Sequence, residues 1–162
     1  MLADRMRINP NTDPSFYNAG YENKPKTGGW VATDLEGNPQ GSQSKESGYL
    51  YLDARNGTQN ENNSRGYTTD IKIDLTNLTT LYIDWENIGT ASANMSSLEA
   101  ASVKNPRTSY STWVYQHYNF TRKISSIDVS TLNGLYYIRV HALAYGEGTW
   151  SSKLKVYKIW GE

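Results

Sequence analysis

The sequence predicts an all-β protein, an antiparallel β-sandwich of jelly-roll type. Short segments with alternating apolar and polar residues, the period of a β-strand, recur along the chain. Clusters of Gly, Asn, Pro and Ser separate these segments, as expected for turns. Hardly any segment shows helical periodicity, and strands that follow one another without intervening helices form antiparallel sheets.

A repeated segment supports this fold. Residues 73–82 return as residues 127–136, and half of the positions are identical. Each copy runs through a polar turn into an apolar strand, so we interpret the copies as two equivalent corners of the sandwich. The apolar alternation shifts by one residue between the strands that follow. Either a β-bulge or membership of different sheets would explain that shift.

Eight strands are predicted, each bounded by turn signals. They are residues 29–33, 49–54, 67–73, 80–87, 95–103, 111–124, 135–144 and 152–160. Residues 91–103 are also the best helix candidate, although they carry no clear amphipathic stripe. Residues 1–28 contain several Pro, Asn and Gly residues and lack periodicity, so we predict an extended N-terminal arm or linker. The predicted sandwich covers residues 29–162.

Alternation assigns the two faces of the best-defined strands. In residues 80–87 one side carries Leu81, Ile83 and Trp85, and the other carries Tyr82, Asp84 and Glu86. In residues 135–144 the predicted core side carries Tyr136, Ile138, Val140 and Ala142. The opposite side of that strand then carries Tyr137, Arg139, His141 and Leu143.

Composition excludes several classes of partner. The 162 residues suffice for one ordinary domain, and 16 basic and 16 acidic residues are scattered along them. No basic stripe or polybasic run is present that would attract nucleic acid or an anionic membrane. No apolar run approaches the roughly 18 residues of a membrane span. We therefore predict no nucleic-acid partner and no membrane insertion.

The aromatic residues are mostly amphipathic, with 13 Tyr and 5 Trp against 2 Phe. Tyr and Trp bury apolar area while their polar atoms stay in reach of water, which suits half-exposed sheets and contact surfaces. Together with abundant Asn, Ser and Thr, this composition is typical of extracellular or virion β-domains. The chain has no cysteine, so disulfides and thiolate metal sites are excluded.

The first candidate ligand site is the polar side of residues 135–144, formed by Tyr137, Arg139 and His141. Alternate residues of a strand stand about 6.6 Å apart on one face. An aromatic ring there would stack on the C–H face of a sugar, and the Arg and His side chains would bond its hydroxyls or a phosphate. A subunit interface and an ordinary solvated surface are the alternatives.

The second candidate is the aromatic segment around Trp113 and Tyr115. These two residues share one side of their strand, while Val114, Gln116 and Tyr118 occupy the other. Both sides carry aromatic residues, so we expect one side in the core and the other on a contact surface. If Trp113 and Tyr115 are the exposed residues, they form a stacking platform. Packing within or between subunits is the alternative.

A catalytic site and a metal site are not predicted. Asp84 and Glu86 share one strand face at a spacing near that of glycosidase carboxyl pairs, but such pairs are also frequent on solvated sheets. The oxygen-rich residues 34–38 lack the ligand spacing of a calcium loop and indicate a turn. His117 and His141 occur singly, so we predict no zinc site and no cofactor.

Three segments resemble the C-terminal domain of tail proteins (fibre, spike or appendage) from phages and prophages of Gram-positive, Bacillus-type bacteria. They are residues 81–86 (LYIDWE), 136–142 (YYIRVHA) and 156–162 (VYKIWGE). Residues 41–46 (GSQSKE) resemble the same domains. The resemblance covers residues 29–162, and its motifs identify a module rather than a reaction.

This resemblance implies a sandwich similar to carbohydrate-binding modules, carried as the C-terminal module of a longer tail protein. The module would lie outside the cell on the virion tail, encoded by a phage or by a prophage of a Gram-positive bacterium. It would be non-catalytic and would recognise host cell-wall polysaccharide, a glycan or teichoic acid, as a homo-oligomer, commonly a homotrimer. The alternatives are a structural domain that trimerises or caps the tail, and a glycan-degrading enzyme.

Overall fold

The computed structural model describes residues 30–36, 40–46, 49–55, 63–69, 72–90, 94–103, 112–145 and 150–162. The strands of these ranges are β1 (Trp30–Glu36), β2 (Gln40–Lys45), β3 (Leu50–Arg55), β4 (Asn63–Thr69), β5 (Ile73–Asp74), β6 (Thr80–Asn87), β7 (Asn94–Ala101), β8 (Thr112–His117), β9 (Phe120–Asp128), β10 (Leu135–Ala144) and β11 (Ser151–Gly161). The predicted arm, residues 1–28, lies outside the described residues. Within the described part, no helix has the length and apolarity that crossing a bilayer requires.

The strands form two antiparallel sheets that enclose one core. Sheet I has the strand order β1-β4-β10-β7-β8, and the short β5 pairs with the first residues of β10. Sheet II has the strand order β2-β3-β11-β6-β9. The predicted fold class, an antiparallel β-sandwich of jelly-roll type, is confirmed.

The predicted division of faces is confirmed on β6 and β10. Leu81, Ile83 and Trp85 of β6 are fully buried in the core, as are Ile138 and Val140 of β10. Alternate residues of each strand point outwards, because successive side chains of a strand leave opposite faces. The inward positions therefore supply the core and the outward positions remain for surface functions.

Asn87, the last residue of β6, joins the two sheets through its buried side chain. Its Nδ2 donates to Ser96 Oγ of sheet I (2.7 Å) and to Ser152 Oγ of sheet II (2.8 Å). Its Oδ1 accepts from the backbone N–H groups of Gly89 (3.0 Å) and Lys153 (3.2 Å). Since the whole amide is satisfied, this buried polar group stabilises the packing of the sheets instead of opposing it.

Two of the predicted strands are divided differently in the structure. Residues 111–124, predicted as one strand, form β8 of sheet I and β9 of sheet II. The chain passes between the sheets at Tyr118, whose φ of 64° is in the left-handed region. Residues 91–103 contain β7, so the strand interpretation of that segment holds. The predicted strand 67–73 is β4, which begins earlier, followed by the separate β5.

The edge strand β2 was not predicted, because its residues show no apolar alternation. Gly41 in this strand has a φ of 119°, and a Cβ atom there would lie 1.8 Å from the backbone oxygen of Asp53. A glycine is therefore required where β2 approaches β3. Edge strands bury little side-chain area, so their sequences carry a weak signal.

The repeated segments form equivalent turns, as predicted. In the first, Asp74 Oδ1 accepts from the Thr76 hydroxyl (2.5 Å) and the Thr76 backbone N–H (2.9 Å). In the second, Asp128 Oδ1 accepts from the Ser130 hydroxyl (2.6 Å) and the Ser130 N–H (2.8 Å). A carboxylate that bonds the backbone two residues on is the geometry of an Asx turn.

The two turns also contact each other. The residue inside each turn, Leu75 or Val129, is fully buried. The Leu75 N–H donates to the Gly134 oxygen and the Val129 N–H donates to the Thr79 oxygen, both at 2.9 Å. The copies thus form one paired corner at the same end of the sandwich.

Different sheet membership explains the shifted alternation after the repeat. The first corner leads from β5 in sheet I to β6 in sheet II, and the second leads from β9 in sheet II to β10 in sheet I. The equivalent leucines therefore face opposite ways: Leu81 is buried in the core and Leu135 is exposed. Of the two explanations left open by the sequence, the structure supports this one.

Candidate functional site

The outer face of sheet I brings together all five residues proposed from the sequence as ligand contacts. The two sequence candidates lie on separate segments, but β10 and β8 flank the same strand, β7. Their outward side chains therefore share one surface. We call this surface the sheet I face, and it comprises Ser97, Glu99, Trp113, Tyr115, Tyr137, Arg139 and His141.

Antiparallel register orders these side chains in rows across β10, β7 and β8. The two complete rows are Arg139–Glu99–Trp113 and His141–Ser97–Tyr115. Adjacent strands lie about 4.8 Å apart, so neighbours within a row are in contact range. Tyr137 lies one step along β10, opposite Ala101.

A buried ion pair lies at the centre of the sheet I face. The Arg139 guanidinium donates through Nε (2.8 Å) and through a terminal nitrogen to Glu99 Oε2. Arg139 is only 1% exposed, although it points away from the core. The role predicted for Arg139 therefore changes, because its guanidinium holds Glu99 instead of standing open to a ligand.

The other carboxylate oxygen of Glu99 faces the second row. Ser97 Oγ donates to Glu99 Oε1 (2.7 Å), and His141 Nδ1 lies 4.0 Å from the same oxygen. The four residues form a polar cluster around Glu99, which accepts hydrogen bonds from Arg139 and Ser97 and has His141 beside it. These hydrogen bonds fix the position of the Glu99 carboxylate.

Trp113 and Tyr115 are the exposed aromatic residues of this face, 44% and 45% exposed. Both stand on β8, the edge strand of sheet I, while Val114 between them packs against the core. The sequence did not decide which side of this strand is exposed. The structure shows that Trp113 and Tyr115 are on the exposed side. Tyr137 is half-buried, with Lys72 Nζ 5.5 Å from its ring centre.

Asp84 and Glu86 lie on the outer face of sheet II, where basic side chains hold both of them. Asp84 accepts two hydrogen bonds from Arg122, at 2.9 and 2.7 Å. Glu86 Oε1 accepts from the Tyr157 hydroxyl (2.6 Å) and lies 3.2 Å from Lys155 Nζ. The Tyr157 hydrogen bond lowers the pKa of Glu86, whereas a general acid in glycoside hydrolysis needs a raised pKa.

Two aromatic rings on the outer face of sheet II, those of Tyr157 and Trp160, lie next to cationic side chains. Arg122 Cζ lies 3.8 Å from the ring centre of Tyr157, and Lys158 Nζ lies 4.8 Å from that of Trp160. Trp160 also stacks on Tyr82, with the ring centres 5.2 Å apart. Burial raises the pKa of Tyr157 to about 12, so its hydroxyl stays a donor to Glu86. These rings already have partners for their faces.

Two residues of the sheet I face were missed in the sequence. Ser97 and Glu99 lie on β7, a segment with no clear period, and neither was singled out. The sequence carried only a weak signal, since Ser97 and Glu99 alternate with the apolar Leu98 and Ala100, but Ser96 on the inward side is polar as well. Pairing β7 with β10 requires the tertiary structure, however, and only that pairing makes Glu99 the partner of Arg139.

No group of three acidic or histidine side chains that could hold a metal ion occurs among the described residues. The calcium-like segment begins within β1, since residues 34–36 continue that strand. Its remaining residues, 37 and 38, lie outside the described ranges.

No protein-family model matches the chain, and no curated protein matches it in sequence. Solved structures do share its fold. The family 11 carbohydrate-binding module of Clostridium thermocellum, in complex with a β-1,3-1,4-mixed-linked tetrasaccharide, has a TM-score of 0.51 and 15% identity, over 82% of this chain and 88% of that module. A legume lectin-like domain from Entamoeba histolytica has a TM-score of 0.54 and 9% identity, over 91% and 95%.

A third similar structure is much larger than this chain. The glycoside hydrolase domain of Endo-D from Streptococcus pneumoniae R6 has a TM-score of 0.54 and 9% identity. The match covers 82% of this chain but spans only 21% of the hydrolase chain. At these identities the three structures show a common β-sandwich fold and nothing finer.

Proposed function

We propose that this chain is a non-catalytic glycan-binding module and that it binds through the sheet I face. The observation that carries the proposal is the pair of exposed rings, Trp113 and Tyr115, in register with a fixed polar cluster. A sugar needs an apolar ring surface for its C–H face and positioned polar groups for its hydroxyls. The sheet I face offers both on adjacent strands.

Each part of the face has a role in this proposal. Trp113 and Tyr115, about 6.6 Å apart along β8, stack on successive sugar rings of a polysaccharide. The Tyr115 hydroxyl and the partly exposed His141 supply donors and acceptors for hydroxyl groups. Arg139 is a positioning residue, because it fixes the Glu99 carboxylate and neutralises its buried charge.

The comparisons agree with this assignment but do not establish it. The carbohydrate-binding module of similar fold was solved with an oligosaccharide, and another similar domain is lectin-like. The sheet II face is the weaker candidate, since its rings Tyr82, Tyr157 and Trp160 are only partly exposed, whereas Trp113 and Tyr115 are exposed.

The biological setting we propose is the tail of a phage or prophage. The strand segments that resemble tail proteins of phages from Gram-positive bacteria motivate this setting, in which the module recognises host cell-wall polysaccharide. Weak sites on several copies of the chain, arranged as a homotrimer, would then act together. Linked weak sites gain about 10² to 10⁴ in avidity without any new contact.

The test is binding of purified cell-wall polysaccharides by isothermal titration calorimetry. We expect Trp113→Ala and Tyr115→Ala each to weaken binding at least about tenfold, because aromatic anchors dominate such contacts. Ile124→Ala is the matched control, since Ile124 is 61% exposed on β9, the edge strand of sheet II. It should bind like the wild-type protein.

The proposal fails if the folded protein, in its native oligomeric state, binds none of the polysaccharides. It also fails if Trp113→Ala retains full glycan affinity but dissociates the oligomer, which would instead identify the sheet I face as a subunit interface. Light scattering of each variant separates these outcomes.

A further inference from the structure

The charges of the sheet I face point to the chemical class of its ligand. Cell-wall polymers of Gram-positive hosts include uncharged polysaccharides and anionic polyol phosphates such as teichoic acids. We propose that the sheet I face binds an uncharged glycan and discriminates against polyol phosphates. This inference rests on the proposed function and makes it more specific.

The central cation of the face is already neutralised. Two nitrogens of Arg139 donate to Glu99 Oε2, and both side chains are almost fully buried. The formal charges of the pair cancel. A phosphate needs an open arginine fork or free ammonium groups, and Arg139 would have to leave a buried carboxylate to supply one.

The other described side chains of the face add little positive charge. Among them, His141 is the group at the centre that could carry one, and it faces Glu99 at 4.0 Å. Lys72 lies at one end, beside the ring of Tyr137. A phosphate placed over the centre would gain no cation from Arg139 unless the buried pair broke, whereas the uncharged hydroxyls of a sugar need no cation.

Among the residues that the structure describes, the basic side chains are concentrated on the sheet II face instead. There Arg55 pairs with Asp53, and Arg122 and Lys155 pair with carboxylates of β6. Lys158 is exposed beside Trp160. Three of these cations are already paired with carboxylates, so an anionic polymer would be drawn to the exposed Lys158 of sheet II rather than to Trp113 and Tyr115.

The experiment compares two immobilised probes, a phosphate-free cell-wall polysaccharide and a glycerol-phosphate teichoic acid, with the full chain as analyte. Each is measured at about 50 and about 500 mM NaCl, because screening weakens only charge-driven binding. We expect the uncharged polymer to bind with less than about a twofold change between the salts, since it releases no counterions. Trp113→Ala should abolish this binding, and Lys155→Ala/Lys158→Ala should leave it unchanged.

Each other outcome overturns the inference in a distinguishable way. If teichoic acid binds with a steep salt dependence and Trp113→Ala abolishes it, the proposed site stands and the uncharged class is wrong. If teichoic acid binding survives in Trp113→Ala but is lost in Lys155→Ala/Lys158→Ala, both the site and the class are wrong. If neither probe binds, the inference is wrong, and the proposed function then fails as well if the calorimetry finds no binding to any of the polysaccharides.

Discussion

Arg139 shows how far one residue's surroundings change its role. On the strand alone it is an outward cation beside Tyr137 and His141, suited to contact a ligand. In the sandwich its neighbour across the ladder is Glu99, and the two close on each other out of reach of solvent. An arginine that is buried and paired in this way positions its partner carboxylate and does not contact a ligand itself.

The Arg139–Glu99 pair allows a quantitative prediction for the free energy of unfolding. Glu99→Gln or Arg139→Met alone leaves one buried charge without its partner, so each should lower the free energy of unfolding by about 3 kcal/mol. The double variant Glu99→Gln/Arg139→Met should lose less than the sum of the two, because neither charge remains. Urea unfolding of the four proteins measures the coupling, and additive losses would show that the pair does not act as a unit.

At the scale of structural elements, the two corners are formed by the same short sequence motif. One short motif, an aspartate followed two residues later by Thr or Ser, is used twice to close a turn over a buried apolar residue. Each corner passes the chain from one sheet to the other, in opposite directions. The same local sequence therefore serves both sheets, and only the strands that follow differ in which residues face inwards.

The corners also predict how stability depends on pH. Hydrogen bonds from Thr76 and Ser130, the hydroxyl first and then the backbone N–H, lower the pKa of Asp74 and Asp128 below the usual 3.8. A carboxyl whose pKa is lower in the folded state stabilises the fold above its unfolded pKa, and this contribution is lost as the pH falls through the folded pKa.

We therefore expect the protein to lose stability below about pH 4. In Asp74→Asn/Asp128→Asn the loss over that range should be smaller. The measurement is the urea midpoint at neutral and acidic pH for the wild type and the double variant. Equal acid sensitivity of wild type and double variant would contradict a role for the corners.

At the scale of the whole molecule, the proposed mechanism depends on how many copies of the chain bind the glycan together. We expect the assembled protein to hold an immobilised cell-wall glycan at least about 10²-fold more tightly than the same chain held monomeric. Light scattering gives the assembly state, and surface plasmon resonance at high and low glycan density gives the avidity. A monomer under all conditions, or binding independent of density, would contradict a multivalent mechanism.

Much of the fold follows from residues close together in the chain. Alternation in residues 80–87 and 135–144 predicted the bounds of β6 and β10 and the faces of both, because burial on one side of a strand imposes a period of two. Strands without that constraint were less predictable. The edge strand β2 has little to bury, and the passage from β8 to β9 depends on the left-handed backbone of Tyr118.

The sequence by itself determined the all-β class, the two equivalent corners and the outward direction of Tyr137, Arg139 and His141, since these depend on local periodicity and on turns of a few residues. Tertiary structure alone decided that β7 lies between β10 and β8. That arrangement joins two distant segments into one face, buries Arg139 against Glu99 and leaves Trp113 and Tyr115 exposed. Strand order depends on pairings between residues far apart in the chain, which no local pattern encodes.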